Sequence, residues 1–212
     1  MWLFIIFIVV LIVSLVVLPS QLFSWLRVSR NVVQRKDLRT GDILYTSVTG
    51  AGNYLFSFAG IQGSHALLVV KDDTTGEVNV LEISGYRDNP SAEAKPCIRP
   101  LSDRLQYDDY DSFVSVWKYK GPHIPSSHVH DFLETVKDCS FNYKFIGEHI
   151  KQRFLGHKRD LTRDKLCCSE LVYLALVYLG VLQFNEYDFS DSFRYLMQLP
   201  THENAADYMD VV

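Results

Sequence analysis

The sequence is short of the cysteines that a disulfide framework needs. Its 212 residues include four, at positions 97, 139, 167 and 168. Neighbouring cysteines such as the last pair can bridge each other only with strain. If the domain faces the cytosol, as argued below, the cysteines stay thiols, and catalysis, metal binding and packing remain as their uses.

Positive charge is also scarce. The net charge is −4, and no stripe of basic residues with interleaved aromatics occurs outside one short N-terminal segment. This composition argues against a nucleic-acid-binding protein. With 48% apolar residues the chain can bury one core of ordinary size, so we expect one globular domain.

One long apolar run is present, at the N-terminus. It extends from Trp2 to Leu18 and is interrupted only by Ser14. At ~1.5 Å per residue, a helix continued to Trp25 is long enough to cross a hydrocarbon core of ~30 Å. A cleaved signal peptide is the alternative, but nothing basic precedes the run and no A-x-A site follows it. We therefore predict a transmembrane anchor at residues 1–26.

A basic linker, residues 27–38, follows the predicted anchor and contains Arg27, Arg30, Arg35 and Lys36. By the positive-inside rule, this flank predicts a single-pass membrane protein whose C-terminal domain faces the cytosol. The same charges could contact anionic lipid heads, although a plain stop-transfer flank explains them equally well. In the cytosol the cysteines are expected to stay thiols.

The rest of the chain has the pattern of strands followed by helices. A Gly-Asp turn with a short strand, “LRTGDILYTSV”, precedes two β-rich runs that predict a hairpin. The expected strands are at 65–70, 77–83, 112–119 and near Cys97, and the expected helices at 126–139 (capped by Ser126 or Ser127), 165–180 and 190–197. This order predicts an α+β domain at residues 39–199. Residues 200–212 are acidic and rich in small residues, which predicts a flexible tail.

The helix expected at 165–180 carries two cysteines, Cys167 and Cys168, near its start. A cysteine at a helix N-terminus lies among unpaired backbone N–H groups and near the positive end of the helix dipole, which favour thiolate over thiol. An isolated cysteine there is more often a small apolar residue that begins a buried helix. A base within reach would favour catalysis instead.

His65 opens the first strand of the predicted hairpin, and Glu82 closes the second. If the turn is centred between Asp73 and Thr74, the two face each other with Cβ atoms ~5 Å apart. A carboxylate there holds the imidazole in one tautomer and supports its charged form. A slip of one residue would put the side chains on opposite faces. With a cysteine at the helix mouth, this pair meets the requirements of a cysteine nucleophile.

The order of these motifs resembles a known family. “LRTGDILYT”, “GSHALLVV”, “VLEI” and “CCSELVYLAL” are similar to segments of the permuted papain-like amidases of the NlpC superfamily, which has bacterial and poxvirus members and is related to lecithin retinol acyltransferase. The resemblance covers most of residues 38–182. It implies a circularly permuted papain-like domain with an antiparallel sheet packed on helices.

The resemblance also implies roles for individual residues. The nucleophile falls on Cys168, the base on His65 and the third polar residue on Glu82. Cys167 takes a position where such motifs often have an aromatic, which implies a packing residue. “SFNYKF” resembles a Tyr-Asn/Asp segment of the family, but Phe141 stands where tyrosine is usual.

Other polar residues carry weaker signals. His128, His130 and Cys139 could suggest zinc, but no paired C-x-x-C accompanies them, and we predict neither a metal nor a cofactor. Glu170 is expected to be an acidic residue of the first helical turn. Tyr45 is expected to line the cleft.

We therefore expect a membrane-anchored cysteine hydrolase that cleaves an amide or ester bond through a thioester on Cys168. Its expected partners are the lipid bilayer and a peptide, amide or lipid acyl substrate. Two alternatives stay open: a lipid acyltransferase or phospholipase of the same fold, and a catalytically inactive structural or virion protein tethered to the membrane.

Overall fold

The computed structural model describes residues 35–46, 65–83, 94–105, 113–142, 144, 164–185, 196 and 209–211. All of them belong to one compact unit, Asn31–Val212. The anchor predicted at 1–26 lies outside the described residues, as does most of the helix predicted at 190–197. Within the described part of the chain, no helix is both long and apolar enough to cross a bilayer.

The described unit combines an antiparallel sheet with three helices, as the α+β prediction expects. A 3-10 turn, Arg35–Asp37, precedes these elements. In chain order they are β1 (Ile43–Thr46), β2 (His65–Lys71), β3 (Val78–Glu82), β4 (Cys97–Pro100), α1 (Leu101–Leu105), β5 (Phe113–Tyr119), α2 (Ser126–Val136), β6 (Ser140–Phe141), β7 (Lys165–Leu166), α3 (Cys168–Tyr178) and β8 (Met209–Val211).

Among the described strands, six form one sheet in the order β4-β3-β2-β1-β5-β8, with every neighbouring pair antiparallel. Helices α2 and α3 cover one face, where the apolar side of β2 packs on the apolar side of α3. A smaller apolar cluster occupies the other face, beneath Leu101 of α1. Because both faces of β2 are covered, this strand is buried at six successive positions, 65–70.

The hairpin of β2 and β3 forms as predicted, but its register differs by two residues from the predicted one. Leu68 pairs with Leu81, and Lys71 pairs with Val78. The turn is displaced because the Asp72 carboxylate accepts hydrogen bonds from the backbone N–H groups of Thr74 (2.9 Å) and Thr75 (2.7 Å). A displacement of two residues keeps every side chain on its predicted face.

Helix α3 begins at Cys168, three residues later than predicted. Lys165 and Leu166 instead form β7, which pairs in parallel with β6. At its other end the helix stops at Tyr178, two residues before the predicted end, and Gly180 just beyond it has a φ of +71°, a conformation that favours glycine. The first cysteine of the pair therefore precedes the helix, and the second is its first helical residue.

Helix α2 begins at the predicted position, but neither predicted serine caps it. The residue before the helix is Pro125, which makes no side-chain cap. Asp73 of the hairpin turn takes over this role, since its Oδ2 accepts hydrogen bonds from the N–H (2.7 Å) and Oγ (3.1 Å) of Ser126. A carboxylate brought by tertiary packing thus replaces the local cap.

The C-terminal segment differs from the predicted flexible tail at residues 209–211. These residues form β8, which pairs with β5 at the edge of the sheet. Backbone pairing with an exposed sheet edge does not depend on the side-chain composition that suggested a loose tail. The sheet therefore extends beyond the predicted domain boundary at residue 199.

The Gly-Asp turn before β1 has a structural explanation. Gly41 has a φ of +100°, which favours glycine. Asp42 is fully buried, and its carboxylate accepts hydrogen bonds from the backbone N–H groups of Arg39 (3.0 Å) and Tyr119 (2.9 Å) and from Lys118 Nζ (2.6 Å). This carboxylate ties the start of β1 to the end of β5.

Candidate active site

The N-terminus of α3 is fixed by a reciprocal cap. The backbone N–H of Cys167 donates to Glu170 Oε2 (2.7 Å), and the Cys167 side chain accepts from the backbone N–H of Glu170. Glu170 is therefore the first-turn acid that the sequence predicts, acting as a capping residue. Cys167 is buried in the core, with its Sγ 3.2 Å from Ser169 Oγ. The cap holds Cys168 at the first helical position.

The structure brings His65 and Glu82 together as the sequence predicts, by a different register. His65 Nε2 lies 2.8 Å from Glu82 Oε2. The observed register, continued by one pair, places Leu67 opposite Glu82, so His65 is a diagonal neighbour of the carboxylate. Diagonal side chains on one face of a sheet are within reach of each other when they are long. The pair is buried, since Glu82 has no exposed surface and His65 is 6% exposed.

Glu82 has a second partner that the sequence analysis missed. Arg99 Nε on β4 lies 2.9 Å from Glu82 Oε1, the carboxylate oxygen that faces away from His65. Cys97 is the residue directly opposite Glu82 in the β3–β4 register, and Arg99 is two residues further along. The only sequence signal for this contact was the strand expected near Cys97, because a strand paired with β3 would place a nearby basic residue beside Glu82.

Cys168 lies in the electrostatic field of His65. Burial raises the pKa of the Cys168 thiol, but the charge of His65, a hydrogen bond with its side chain, and hydrogen bonds from the backbone N–H groups of Ala66 and Ser169 lower this pKa below its ordinary value. For His65, burial alone would lower the pKa, because it disfavours the charged imidazolium. The charge and hydrogen bond of Cys168, together with those of Glu82, instead raise the pKa of His65 to about 9.

These opposite shifts favour a thiolate–imidazolium pair over two neutral groups. The pair places a nucleophilic sulfur beside a protonated imidazole, with a carboxylate behind the ring. His65 contacts Glu82 through Nε2 and also shares a side-chain hydrogen bond with Cys168. The three residues that the sequence predicts for the site thus form one connected group.

Tyr45 also lies near this group. Its side chain is fully buried and packs edge-on against Trp117, with ring centroids 6.5 Å apart. Burial, followed by the negative charge of Cys168, raises the pKa of Tyr45 well above its ordinary value. The phenol therefore keeps its proton and can only act as a neutral group beside the thiolate.

Phe141, noted in the sequence as standing where the resembling segment has a tyrosine, has a packing role. It is half-buried against the main core and belongs to β6, whose pairing with β7 leads directly into the cap of α3. The adjacent Asn142 is buried, and its backbone N–H donates to the carbonyl of Leu166 (3.0 Å). This segment supports the start of α3 from outside the triad.

The histidines that were set aside as zinc ligands in the sequence lie apart from the proposed triad. His128 and His130 are exposed on α2. In the part of the chain that the structure describes, no group of three or more histidine, cysteine, aspartate or glutamate side chains is arranged to hold a metal ion. The chemistry that the described site supports is that of a thiolate and an imidazolium.

Comparisons with known proteins add little to this geometry. No protein-family model matches the chain, and no curated protein matches its sequence. Among solved structures, the chain is similar to the crystal structure of the metalloprotein yiiX from Escherichia coli O157:H7, with 14% sequence identity, 82% of this chain and 88% of that chain covered, and a TM-score of 0.47. A likeness at this level assigns the chain neither to a fold family nor to an activity.

Proposed function

We propose that this protein is a cysteine hydrolase that cleaves an amide or ester bond through a thioester on Cys168, with His65 as the base and Glu82 orienting it. The observation that carries the proposal is the buried connection from Glu82 through His65 to Cys168 at the mouth of α3. A nucleophile, a base and a group that orients the base are what covalent catalysis by cysteine requires.

The proposed reaction has two steps. The Cys168 thiolate attacks the carbonyl carbon, and the bond electrons move to the carbonyl oxygen. When this tetrahedral intermediate collapses, the amine or alcohol leaves with the proton of His65. Water then gives a proton to His65 and attacks the thioester, which releases the carboxylic acid and restores the Cys168 thiolate.

The start of α3 also suits the charge that develops on the oxygen. The first N–H groups of a helix have no acceptor within it, and the positive end of the helix dipole lies there. We assign the backbone N–H of Cys168 as one donor to the oxyanion.

The permuted papain-like arrangement is part of the same proposal. It is supported by chain order, since the strand that carries His65 precedes the helix that carries Cys168, and by the packing of α3 against β2 and β3. We further propose that residues 1–26 anchor the domain to a membrane, with the domain on the cytosolic side. Release of the intact protein by alkaline carbonate would contradict the anchor.

An electrophilic thiol probe tests the proposal, with Cys139 as an internal control. Burial and the nearby carboxylates of Asp164 and Asp138 raise the pKa of Cys139, so it should react slowly. The expected result is selective labelling of Cys168 at neutral pH that His65→Ala reduces at least tenfold. Equal labelling of Cys168 and Cys139 would instead indicate the inactive, structural alternative. Release of acid from amide or ester reporters then separates amidase from esterase.

A further inference from the structure

We infer that Arg99 is a positioning residue of the proposed active site, which keeps Glu82 ionised and directed at His65 and thereby supports the Cys168 thiolate. This inference rests on the proposed function, because the effect of Arg99 on Cys168 matters for catalysis only if Cys168 is the nucleophile. Its physical basis is the set of contacts around Glu82.

Glu82 is held from two sides by two cationic groups. Its Oε2 lies 2.8 Å from His65 Nε2, and its Oε1 lies 2.9 Å from Arg99 Nε. The two groups come from the strands on either side of β3, since β2 carries His65 and β4 carries Arg99. Rotation of the carboxylate away from the imidazole would lengthen the 2.9 Å ion pair between Glu82 Oε1 and Arg99 Nε.

Arg99 also balances the charges of this group. A Cys168 thiolate, a protonated His65 and an ionised Glu82 together carry one net negative charge. Arg99 brings this sum to zero. Because Glu82 has no exposed surface, an uncompensated charge there would be costly, and the group would avoid it by protonating the carboxylate or the thiolate.

The position of the Arg99 side chain is itself fixed. Its Nη2 donates to Cys97 Sγ at 3.3 Å, and Cys97 is the residue directly opposite Glu82. The Arg99 side chain is 25% exposed, whereas that of Glu82 is fully buried. The guanidinium thus stays partly hydrated, which limits the desolvation cost of the pair, and it needs no change of protonation because arginine is always charged.

The chain offers a matched control for this contact. Lys118 Nζ lies 2.6 Å from Asp42 Oδ2, and the side-chain exposures of 24% and 0% match those of Arg99 and Glu82. This pair ties β1 to β5 and is no part of the proposed triad. Lys118→Gln therefore removes a cation from a buried carboxylate without touching the proposed site.

The experiment is the pH dependence of Cys168 alkylation by iodoacetamide in the full-length chain, measured for wild type, Arg99→Gln, Arg99→Lys and Lys118→Gln. Arg99→Gln removes a positive charge near the group, which raises the pKa of the thiol. The profile should move to higher pH by about 0.5 to 1 unit, less than the shift for a charge in direct contact. Arg99→Lys should recover at least half of this shift, because it restores the charge without the planar fork.

The control variant, Lys118→Gln, should have the same pH profile of Cys168 alkylation as wild type. An unshifted Arg99→Gln profile, or an equal shift in Lys118→Gln, would overturn the inference. If Arg99→Gln does not fold, the profile of Arg99→Lys is compared with wild type instead. Alkylation needs no substrate. A shifted Arg99→Gln profile in a chain that hydrolyses nothing would uphold the role of Arg99 and overturn the proposed function alone.

Discussion

His65 Nε2 lies 2.8 Å from Glu82 Oε2 although the two residues are diagonal, not opposite, neighbours on β2 and β3. Glu82 contacts the imidazole at Nε2, and the same imidazole shares a hydrogen bond with Cys168. Glu82 therefore acts on the thiol through His65, and this geometry leads to predictions for each of the three residues.

The two adjacent cysteines should differ in reactivity. Cys168→Ala should abolish selective labelling by iodoacetamide at neutral pH, because only Cys168 is paired with His65. Cys167→Ala should keep the labelling, since Cys167 is the buried cap of α3, although the loss of the cap should cost about 1 kcal/mol of stability. Peptide mapping of the labelled protein shows which of the two cysteines carries the label. Labelling that survives in Cys168→Ala and disappears in Cys167→Ala would make the assignment wrong.

Glu82 and His65 should behave as one unit. Glu82→Gln should keep the fold and a hydrogen bond to the ring while it lowers turnover and moves Cys168 alkylation to higher pH, since the imidazolium loses its anionic partner. His65→Ala should lower turnover further than Glu82→Gln does. The double variant should be little worse than His65→Ala alone, because residues that act in series are not additive. If the double variant lost as much transition-state stabilisation as the two single variants combined, Glu82 would act independently of His65.

Activity should depend on pH with an alkaline limb near 9. The folded-state pKa of His65 is raised to about 9, so the imidazolium persists below that value and is lost as pH rises through it. Loss of the imidazolium removes the proton that the leaving group needs. On the acid side, activity should fall only when the thiolate is protonated, at a pH below the ordinary thiol pKa. A pH–kcat profile with its alkaline limb at 6 to 7 would contradict the raised pKa of His65.

Asp42 should matter for folding and not for thiol chemistry. Asp42→Ala leaves the backbone N–H of Tyr119 and the Lys118 ammonium without their buried acceptor. Removal of one partner from such a buried pair costs about 3–5 kcal/mol. Urea unfolding should show this loss, while the alkylation profile of the folded fraction stays that of wild type. A shifted profile would show that the Gly-Asp turn contributes to the site.

Local patterns were enough to predict the parts of the site that depend on residue type. Two β-rich runs separated by the turn residues of “KDDTTG” predicted the hairpin, and two cysteines before an apolar run predicted a thiol at a helix mouth. The choice of Cys168 over Cys167 came from the family resemblance. The register was wrong by two residues because the Asp72 side chain displaces the turn. The prediction of a His65–Glu82 contact survived this error since an even displacement preserves the face of each side chain.

Features that depend on tertiary contacts were missed. The partnership of Arg99 with Glu82 depends on β4 pairing with the far edge of β3, after a proline-rich stretch whose path has no local signal. Asp73 caps α2 from a distant turn, and β8 forms on an available sheet edge despite its acidic, small-residue context. Composition describes the preferences of a segment and not which partner satisfies them.

Mass spectrometry of the chain after incubation with libraries of acyl esters and peptides tests the central claim most directly. The account predicts an acyl group attached to Cys168, absent from Cys168→Ala and greatly reduced in His65→Ala. The mass of the adduct would also identify the acyl group and so separate a lipid from a peptide substrate. Product release without any adduct on Cys168, or an adduct that forms equally on Cys139, would contradict the account.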